Sequence, residues 1–158
     1  MSVATGDKLF GVYRPEELSD IFPFLDPSEI SAICSYLELR SWSAGTTLMR
    51  DGDVGDYMGF VVHGKLVVKK ETAFPGKFVL IAVLERGSMV GEISVVELGK
   101  RNATVTAAEE SQLLLMTYDG MEKLLEEFPG IGNRLLKRII HVLGYRLRMA
   151  SERLSKLL

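Results

Sequence analysis

The hydrophobic and polar positions of this chain follow three successive patterns, and the first is helical. From residue 13 to residue 40, apolar residues recur at helical spacing in two short runs, broken at Pro23 and restarted at Asp26-Pro27. An aspartate caps a helix N-terminus well, and proline is favoured at the first helical position. The pattern therefore predicts N-terminal helices over about residues 14–40.

Residues 41–117 show the pattern of β-strands separated by turns. The runs YMGFVVHGKLVVKK, KFVLIAVLERG and SQLLLMT are rich in β-prone residues, and RDGDVGD, FPGK and ELGK between them are turn-forming clusters. Short, closely spaced strands are typical of a β-sandwich or jelly-roll barrel rather than of a parallel sheet.

The helical period returns in residues 118–158. MEKLLEEF predicts a short helix that ends near Phe128, and a long helix then runs from about Ile131 to the end of the chain. Seven apolar positions of this helix recur at alternating spacings of four and three, the a/d pattern of a left-handed coiled coil. They are Leu136, Ile140, Leu143, Leu147, Ala150, Leu154 and Leu157. This pattern predicts a parallel homodimer; the alternative is a lid that folds onto its own domain.

Composition places the whole chain, residues 1–158, in one domain. Apolar residues make up 47% and charged residues 25%, which is typical of a globular protein with a core. No apolar run is long enough to span a bilayer, and the first ten residues lack a signal-peptide pattern. The single cysteine, Cys34, cannot form an intramolecular disulfide and has a helical spacing that predicts burial. We therefore expect a cytoplasmic protein without a membrane span.

Residue types argue against catalysis. His63 and His141 are the only histidines and fall in different elements, whereas a metal-binding barrel enzyme needs several converging ligands. Neither a G-x-S-x-G nucleophile motif nor a phosphate-binding P-loop is present. We expect no catalytic residues, no metal, no cofactor and no enzyme activity.

One segment, GEISVVELGKRNATVTA at residues 91–107, places an acid and a base nine positions apart. Gly91 allows close approach of the backbone to a ligand, and the turn after it can present N–H groups to an anion. Arg101 offers a planar fork for phosphate oxygens, whereas Glu92 only accepts hydrogen bonds and suits a sugar hydroxyl. If the residues between them form a helical turn, both ends meet over one pocket. Spacing alone leaves a surface salt bridge between Glu92 and Arg101 equally open.

The same segment resembles the phosphate-binding cassette of the cyclic nucleotide-binding domain family, F-G-E-[LI]-[AS]-L-[LM]-x-x-x-P-R-x-A-T-V-x-A. The Glu-to-Arg spacing matches, and the turn RDGDVGDYMGFVVHGKLVV matches the family's x-x-G-D-x-G-D element. Lys100 replaces the family's proline, and Val90 replaces an aromatic residue. The resemblance covers roughly residues 18–150. It implies an α+β, mainly β fold: an eight-stranded jelly-roll barrel flanked by N-terminal helices and a long C-terminal helix.

The resemblance also implies a ligand and its contacts. The ligand is a cyclic nucleotide, cAMP ahead of cGMP; Glu92 would bind the ribose 2′-hydroxyl and Arg101 the cyclic phosphate. Asn102 keeps cGMP open, because a hydroxyl-bearing residue at its position accompanies guanine preference in some relatives. The full set of implied ligand-binding residues is Gly91, Glu92, Ile93, Ser94, Arg101, Asn102, Ala103, Thr104 and Ser151.

The last helix resembles that of the bacterial catabolite activator protein group, with Ala150-Ser151 in place of a Thr-Ser pair. That group's DNA-binding helix-turn-helix would follow Leu158, so we expect no direct DNA binding. The resemblance implies a non-enzymatic receptor domain that relays nucleotide binding through its helices to an unidentified protein effector. The alternative is a degenerate family member that dimerises without binding nucleotide, an interpretation that Lys100 and Ala150 support.

Overall fold

Apart from a two-residue strand near the N-terminus, the strands lie between helices, in the order that the hydrophobic pattern predicts. The computed structural model describes residues 3–4 and 12–158. Their three α-helices are α1 (Pro27–Cys34), α2 (Tyr118–Glu127) and α3 (Pro129–Leu157), with 3-10 helices at Pro15–Leu18 and Glu92–Val95. The strands are β1 (Val3–Ala4), β2 (Glu38–Trp42), β3 (Thr47–Met49), β4 (Val54–Gly55), β5 (Tyr57–His63), β6 (Leu66–Glu71), β7 (Phe78–Leu84), β8 (Met89–Val90), β9 (Gly99–Lys100), β10 (Thr104–Ala107) and β11 (Ser111–Thr117).

The N-terminal helical region is shorter than predicted. Asp26 does cap α1: its side chain accepts from the Glu29 amide at 2.9 Å, and the Glu29 carboxylate accepts from the Asp26 amide at 3.1 Å. The first predicted helix is only the 3-10 helix Pro15–Leu18. Strand β2 begins at Glu38, three residues before the predicted boundary at residue 41, because residues 38–42 pair with β11.

Two antiparallel sheets form the body of the molecule. Their strand orders are β1-β2-β11-β5-β8 and β3-β10-β6-β7, and β4 pairs separately with β9. A mainly β fold with three helices is therefore confirmed. The eight-stranded closed barrel is not confirmed, because within the described residues the two sheets remain open. Strands β8 and β9, which flank the 3-10 helix Glu92–Val95, have only two residues each, too short to extend a ladder across the gap.

The five-stranded sheet is buried on both faces, which explains the nearly unbroken apolar runs of β5 and β11. Val61, Leu113 and Leu115 point between the two sheets. Phe60 and Leu114 point to the other face, where they pack with the helices. Side chains from α1, α2 and α3 complete this second core, namely Ile30, Ile33, Cys34, Met121, Leu124, Leu135 and Ile139. Burial raises the pKa of the Cys34 thiol to about 11, as befits a structural cysteine.

Helix α3 has two different apolar sides. Leu135 and Ile139 are buried against the domain, and Val142 is partly buried beside them. Most of the predicted a/d seam faces solvent, including Ile140 at 67% and Leu147 at 69% exposure. Leu136 and Leu143 of the seam pack partly against the domain, so the buried and the exposed apolar positions lie on adjacent sides of one helix. None of the helices in the described part of the chain is long and apolar enough to cross a membrane.

Candidate functional site

The site begins at a sharp backbone turn after β8. Gly91 has φ 69° and ψ 25°, a left-handed conformation that glycine adopts at little cost. A Cβ at this position would lie 2.5 Å from Arg101 Nη1, so a side chain is also excluded by space. The 3-10 helix Glu92–Val95 follows directly and supplies the helical turn on which the approach of the two charged residues was conditional.

The far end of the loop is fixed by the glycine-rich turn after β3. Arg101 donates its amide to the Asp53 carbonyl at 2.6 Å, and Gly52 donates to the Arg101 carbonyl at 2.8 Å. The short β4–β9 ladder pairs Gly55 with Gly99 beside these bonds. The two motifs identified in the sequence, residues 52–56 and 91–107, therefore form one structural unit.

Arg101 is a buried cation held by neutral groups. It is 8% exposed, and its guanidinium donates to Ser94 Oγ at 2.8 Å and to the Tyr57 carbonyl at 2.8 Å. The Tyr57 ring lies 4.7 Å from the guanidinium carbon, within cation–π distance. Among residues 3–4 and 12–158, no carboxylate forms a salt bridge with Arg101. Desolvation lowers the pKa of Arg101, but an arginine stays protonated, so the charge is available to an anion.

Glu92 lies at the other end of the pocket and pairs with helix α3. Arg146 Nη1 donates to Glu92 Oε1, and Arg146 Nη2 donates to the Met89 carbonyl at 2.6 Å. The predicted alternative of a surface salt bridge between Glu92 and Arg101 is wrong, because both residues are buried and Glu92 has a different partner. The packing of α3 onto the domain places Arg146, not Arg101, against this carboxylate.

The structure gathers all but one of the predicted ligand-binding residues. Ser94 is buried and bonded to Arg101, and Thr104 Oγ1 accepts from the Asp51 amide at 3.1 Å. The Asn102 carbonyl accepts from Lys70 Nζ at 2.7 Å. Gly91, Ile93 and Ala103 lie in the same loop. Ser151 is exposed on α3, about 140° around the helix axis from Arg146, and so lies apart from the rest of its own site.

Three further residues shape the site and were not predicted. Arg146 lies on the same side of α3 as Ile139 and Val142, at helical spacing. That spacing predicts that Arg146 faces the domain, but it does not predict which residue Arg146 contacts. Tyr57 contacts Arg101 through both its ring and its carbonyl. Gly55 leaves the space that Arg101 fills, since a Cβ there would lie 2.5 Å from Arg101 Nε and 2.6 Å from Ser94 Oγ.

This arrangement suits a small ligand that carries a negative charge and a hydroxyl. Arg101 can attract the anion through hydrogen bonds and charge, and Glu92 can accept from a hydroxyl at the other end of the pocket. The described residues contain no group of three or more His, Cys, Asp or Glu side chains placed to hold a metal ion.

Comparison with known proteins agrees with this geometry. Residues 39–128 match the profile of the cyclic nucleotide-binding domain. A CRP-like cAMP-activated global transcriptional regulator of Mycobacterium tuberculosis is 28% identical over 138 residues, covering 87% of this chain and 59% of the regulator. The chain thus spans about three fifths of that relative.

Two solved structures share the fold. The catabolite activator protein of Thermus thermophilus superposes with a TM-score of 0.75 at 28% identity, covering 88% of this chain and 63% of that one. A cyclic nucleotide-binding domain from Methylobacillus flagellatus KT superposes with a TM-score of 0.80 at 24% identity, covering 88% and 83%. The chain belongs to the cyclic nucleotide-binding domain family.

Proposed function

We propose that the chain is a receptor domain that binds a cyclic nucleotide between Arg101 and Glu92. The observation that carries this proposal is the buried Arg101 guanidinium, which neutral oxygens and a tyrosine ring hold in place while its charge stays available. Holding an arginine in a desolvated site costs free energy, and binding of a phosphate would recover it. Glu92 would accept a hydrogen bond from the ribose 2′-hydroxyl.

Titration calorimetry on nucleotide-free chain tests the proposal. Saturable binding of cAMP or cGMP is expected for the natural sequence and for Arg148→Ala, which removes an exposed arginine of α3. Arg101→Ala should weaken binding severely. Equal binding by the Arg101→Ala and Arg148→Ala chains would remove Arg101 as the phosphate-binding residue.

We place cAMP ahead of cGMP as the ligand. The support is that the relative from Mycobacterium tuberculosis is a cAMP-activated regulator. Asn102, which keeps cGMP as a candidate, is exposed at the edge of the cassette, where its side-chain amide could contact a guanine base. Titration with both nucleotides side by side decides between them. Tenfold tighter binding of cGMP, equivalent to about 1.4 kcal/mol, would reverse the order.

The signal from the site would pass through α3. This helix contacts the site through Arg146 and exposes most of its apolar seam on an adjacent side. We propose that the seam forms a homodimer and that an effector protein reads its state. Sedimentation should show a dimer for the natural chain and a monomer for Ile140→Glu, Leu147→Glu. His141→Glu, Ser155→Glu, two exposed positions outside the seam, is the matched control and should stay dimeric. A monomeric natural chain at tens of micromolar would argue against this interface.

The second candidate is a family member that folds and dimerises without binding nucleotide. The observation that favours it is that both charged residues of the pocket already have partners within the chain. Thermal melts separate the two candidates. A ligand at 100 times its dissociation constant adds about 2.7 kcal/mol of stability, so cAMP or cGMP should raise the melting temperature only if the site is functional.

As further parts of the receptor role, we propose the absence of catalysis and a cytoplasmic location. Hydrolysis of a phosphodiester needs a metal cluster or an activated nucleophile. Incubation with cAMP or cGMP over hours should therefore yield no AMP or GMP. Product that increases in proportion to protein concentration would contradict the proposal.

A further inference from the structure

Lys70 is absent from the predicted site residues, yet it bonds directly to the backbone of the cassette. It lies on β6, one residue beyond the ladder that this strand forms with β10. Its ammonium donates to the Asn102 carbonyl at 2.7 Å and to Asp51 Oδ2 at 3.1 Å. Lys70 therefore joins three segments: strand β6, the start of the glycine-rich turn, and the residue directly after Arg101.

Residues 101–104, with which the cassette enters β10, are tied to neighbouring segments by hydrogen bonds. Both backbone groups of Arg101 bond to the glycine-rich turn, and the Thr104 hydroxyl accepts from an amide at the start of that turn. The Asn102 carbonyl lies between these two anchors. Its one hydrogen-bond donor within the described residues is Lys70.

The bond from Lys70 also orients the next backbone N–H. The carbonyl and the N–H of a planar trans peptide point in opposite directions. The Asn102 carbonyl and the Ala103 N–H belong to one trans peptide, so fixing the carbonyl toward Lys70 fixes the N–H away from it. In the part of the chain that the structure describes, no protein acceptor bonds to the Ala103 N–H. This donor, two residues after Arg101, is left for a ligand.

From these contacts we infer that Lys70 is a positioning residue for the phosphate end of the site. The inference rests on the proposed function, in which the Ala103 N–H is a second phosphate donor beside Arg101. Lys70 would set the direction of that N–H without touching the ligand. A charged donor makes a strong hydrogen bond, and a peptide held in place before the ligand arrives needs no ordering on binding.

The same contacts should contribute little to the stability of the fold. The side chains of Lys70 and Asp51 are 50% and 37% exposed. An ion pair this open to solvent is screened by water and salt, so its loss destabilises a protein only slightly. Removal of the Lys70 ammonium should therefore leave the melting temperature almost unchanged. An effect on binding can then be separated from an effect on folding.

The test is a calorimetric titration of five chains with cAMP and with its two phosphorothioate isomers. Each isomer has sulfur in place of one exocyclic phosphate oxygen, and sulfur is a weak hydrogen-bond acceptor. The chains are the natural sequence, Lys70→Met, Lys70→Gln, Lys70→Arg and Lys69→Met. Lys69 is the matched control, because its ammonium lies 4.9 Å from the centre of the Phe78 ring instead of bonding to the cassette.

Lys70→Met and Lys70→Gln should bind cAMP about three- to tenfold more weakly than the natural chain, the loss expected for one hydrogen bond. Lys70→Arg, which keeps the charge and the donors, and Lys69→Met should bind as the natural chain does. The loss should be smaller for the isomer whose sulfur faces the Ala103 N–H, since that bond is already weakened. The ratio of the affinities for the two isomers should therefore change in Lys70→Met. Lost charge alone would lower all affinities by one factor and leave this ratio unchanged.

Unchanged affinity for cAMP in a folded Lys70→Met or Lys70→Gln chain overturns the inference. An equal loss in Lys69→Met, or an unchanged ratio between the isomers, overturns it as well, because Lys70 would then act through its charge alone. Thermal melts that show both Lys70 variants unfolded would assign Lys70 to the fold and also overturn it. Each of these results leaves the proposed function intact, since the natural chain still binds. If none of the chains binds cAMP or cGMP, the proposed function fails and the inference fails with it.

Discussion

The two charged ends of the pocket are built in opposite ways. Arg101 is held by Ser94 Oγ, two backbone carbonyls and the ring of Tyr57, all neutral groups. Glu92 is held by Arg146, a full positive charge from a helix 54 residues further along the chain. The arginine end therefore keeps its charge for a ligand, whereas the charge at the glutamate end is compensated by a side chain of helix α3.

This difference assigns a separate task to each end. A cation fixed by neutral acceptors keeps its full charge for a phosphate, which favours affinity. A carboxylate paired with a helix residue links the site directly to α3, so a ligand that binds Glu92 would also act on the contact that holds this helix. Binding strength would then come mainly from Arg101, and communication mainly from Glu92.

Removing the positive charge of Arg101 should lower the affinity for the nucleotide more than any other change. Arg101→Ala leaves a phosphate buried without its partner, which typically costs about 3–5 kcal/mol. We expect cyclic nucleotide affinity to fall by at least about a hundredfold in calorimetry. Arg101→Lys should recover only part of the loss, because lysine lacks the planar fork. Full recovery with lysine would show that a point charge suffices.

Glu92→Ala should weaken binding less. It removes one charge-assisted hydrogen bond, typically about 1.5–3 kcal/mol, and at the same time frees Arg146. This variant should also bind cAMP and 2′-deoxy-cAMP with similar affinity, because the residue that reads the 2′-hydroxyl is gone. A larger loss for Glu92→Ala than for Arg101→Ala would mean that the two roles are assigned the wrong way round.

Gly55→Ala tests whether the arginine end is as rigid as its contacts indicate. The added Cβ would lie 2.5 Å from Arg101 Nε, and overpacking of this kind costs about 1–3 kcal/mol. Displacement of the guanidinium should lower affinity about tenfold, or about 1.4 kcal/mol. Gly99→Ala is the matched control, since Gly99 pairs with Gly55 and a Cβ there meets nothing within 4 Å. If Gly55→Ala and Gly99→Ala lower the affinity equally, the cause is a disturbed pairing of β4 with β9 and not a displaced guanidinium.

Among these substitutions, those of Tyr57 should lower the affinity for the nucleotide least. Tyr57→Leu removes the ring beside Arg101 but keeps the carbonyl bond, and a cation–π contact contributes about 0.5–2 kcal/mol. We expect a loss of affinity of a few-fold, measured by calorimetry, and none for Tyr57→Phe, which keeps the ring. In the Arg101→Ala background, Tyr57→Leu should change nothing further. An additional loss there would indicate that the ring acts on the fold and not on the guanidinium.

Local patterns account for the parts of the fold that were predicted correctly. Asp26 and Pro27 specify the start of α1 through contacts within one helical turn, and Gly91 can adopt a left-handed conformation that other residues avoid. The short loop between Glu92 and Arg101 brings its two ends close together, with Arg101 Nη1 3.4 Å from the Gly91 carbonyl. These features depend on residues near each other in the sequence, so the sequence itself determined them.

Only the tertiary structure decided which groups contact Glu92 and Arg101. Nothing near Arg146 in the sequence specifies Glu92 as its partner, and nothing near Tyr57 specifies Arg101. Each of these contacts depends on how a whole helix or strand packs, and many registers would satisfy the same apolar periodicity. The opening between the two sheets was decided in the same way, by strands β8 and β9 that are too short to continue the ladder. The sequence determined the cap at Asp26 and the left-handed turn at Gly91, because both depend on residues close together in the chain. Packing determined that Glu92 pairs with Arg146 and that neutral groups hold Arg101.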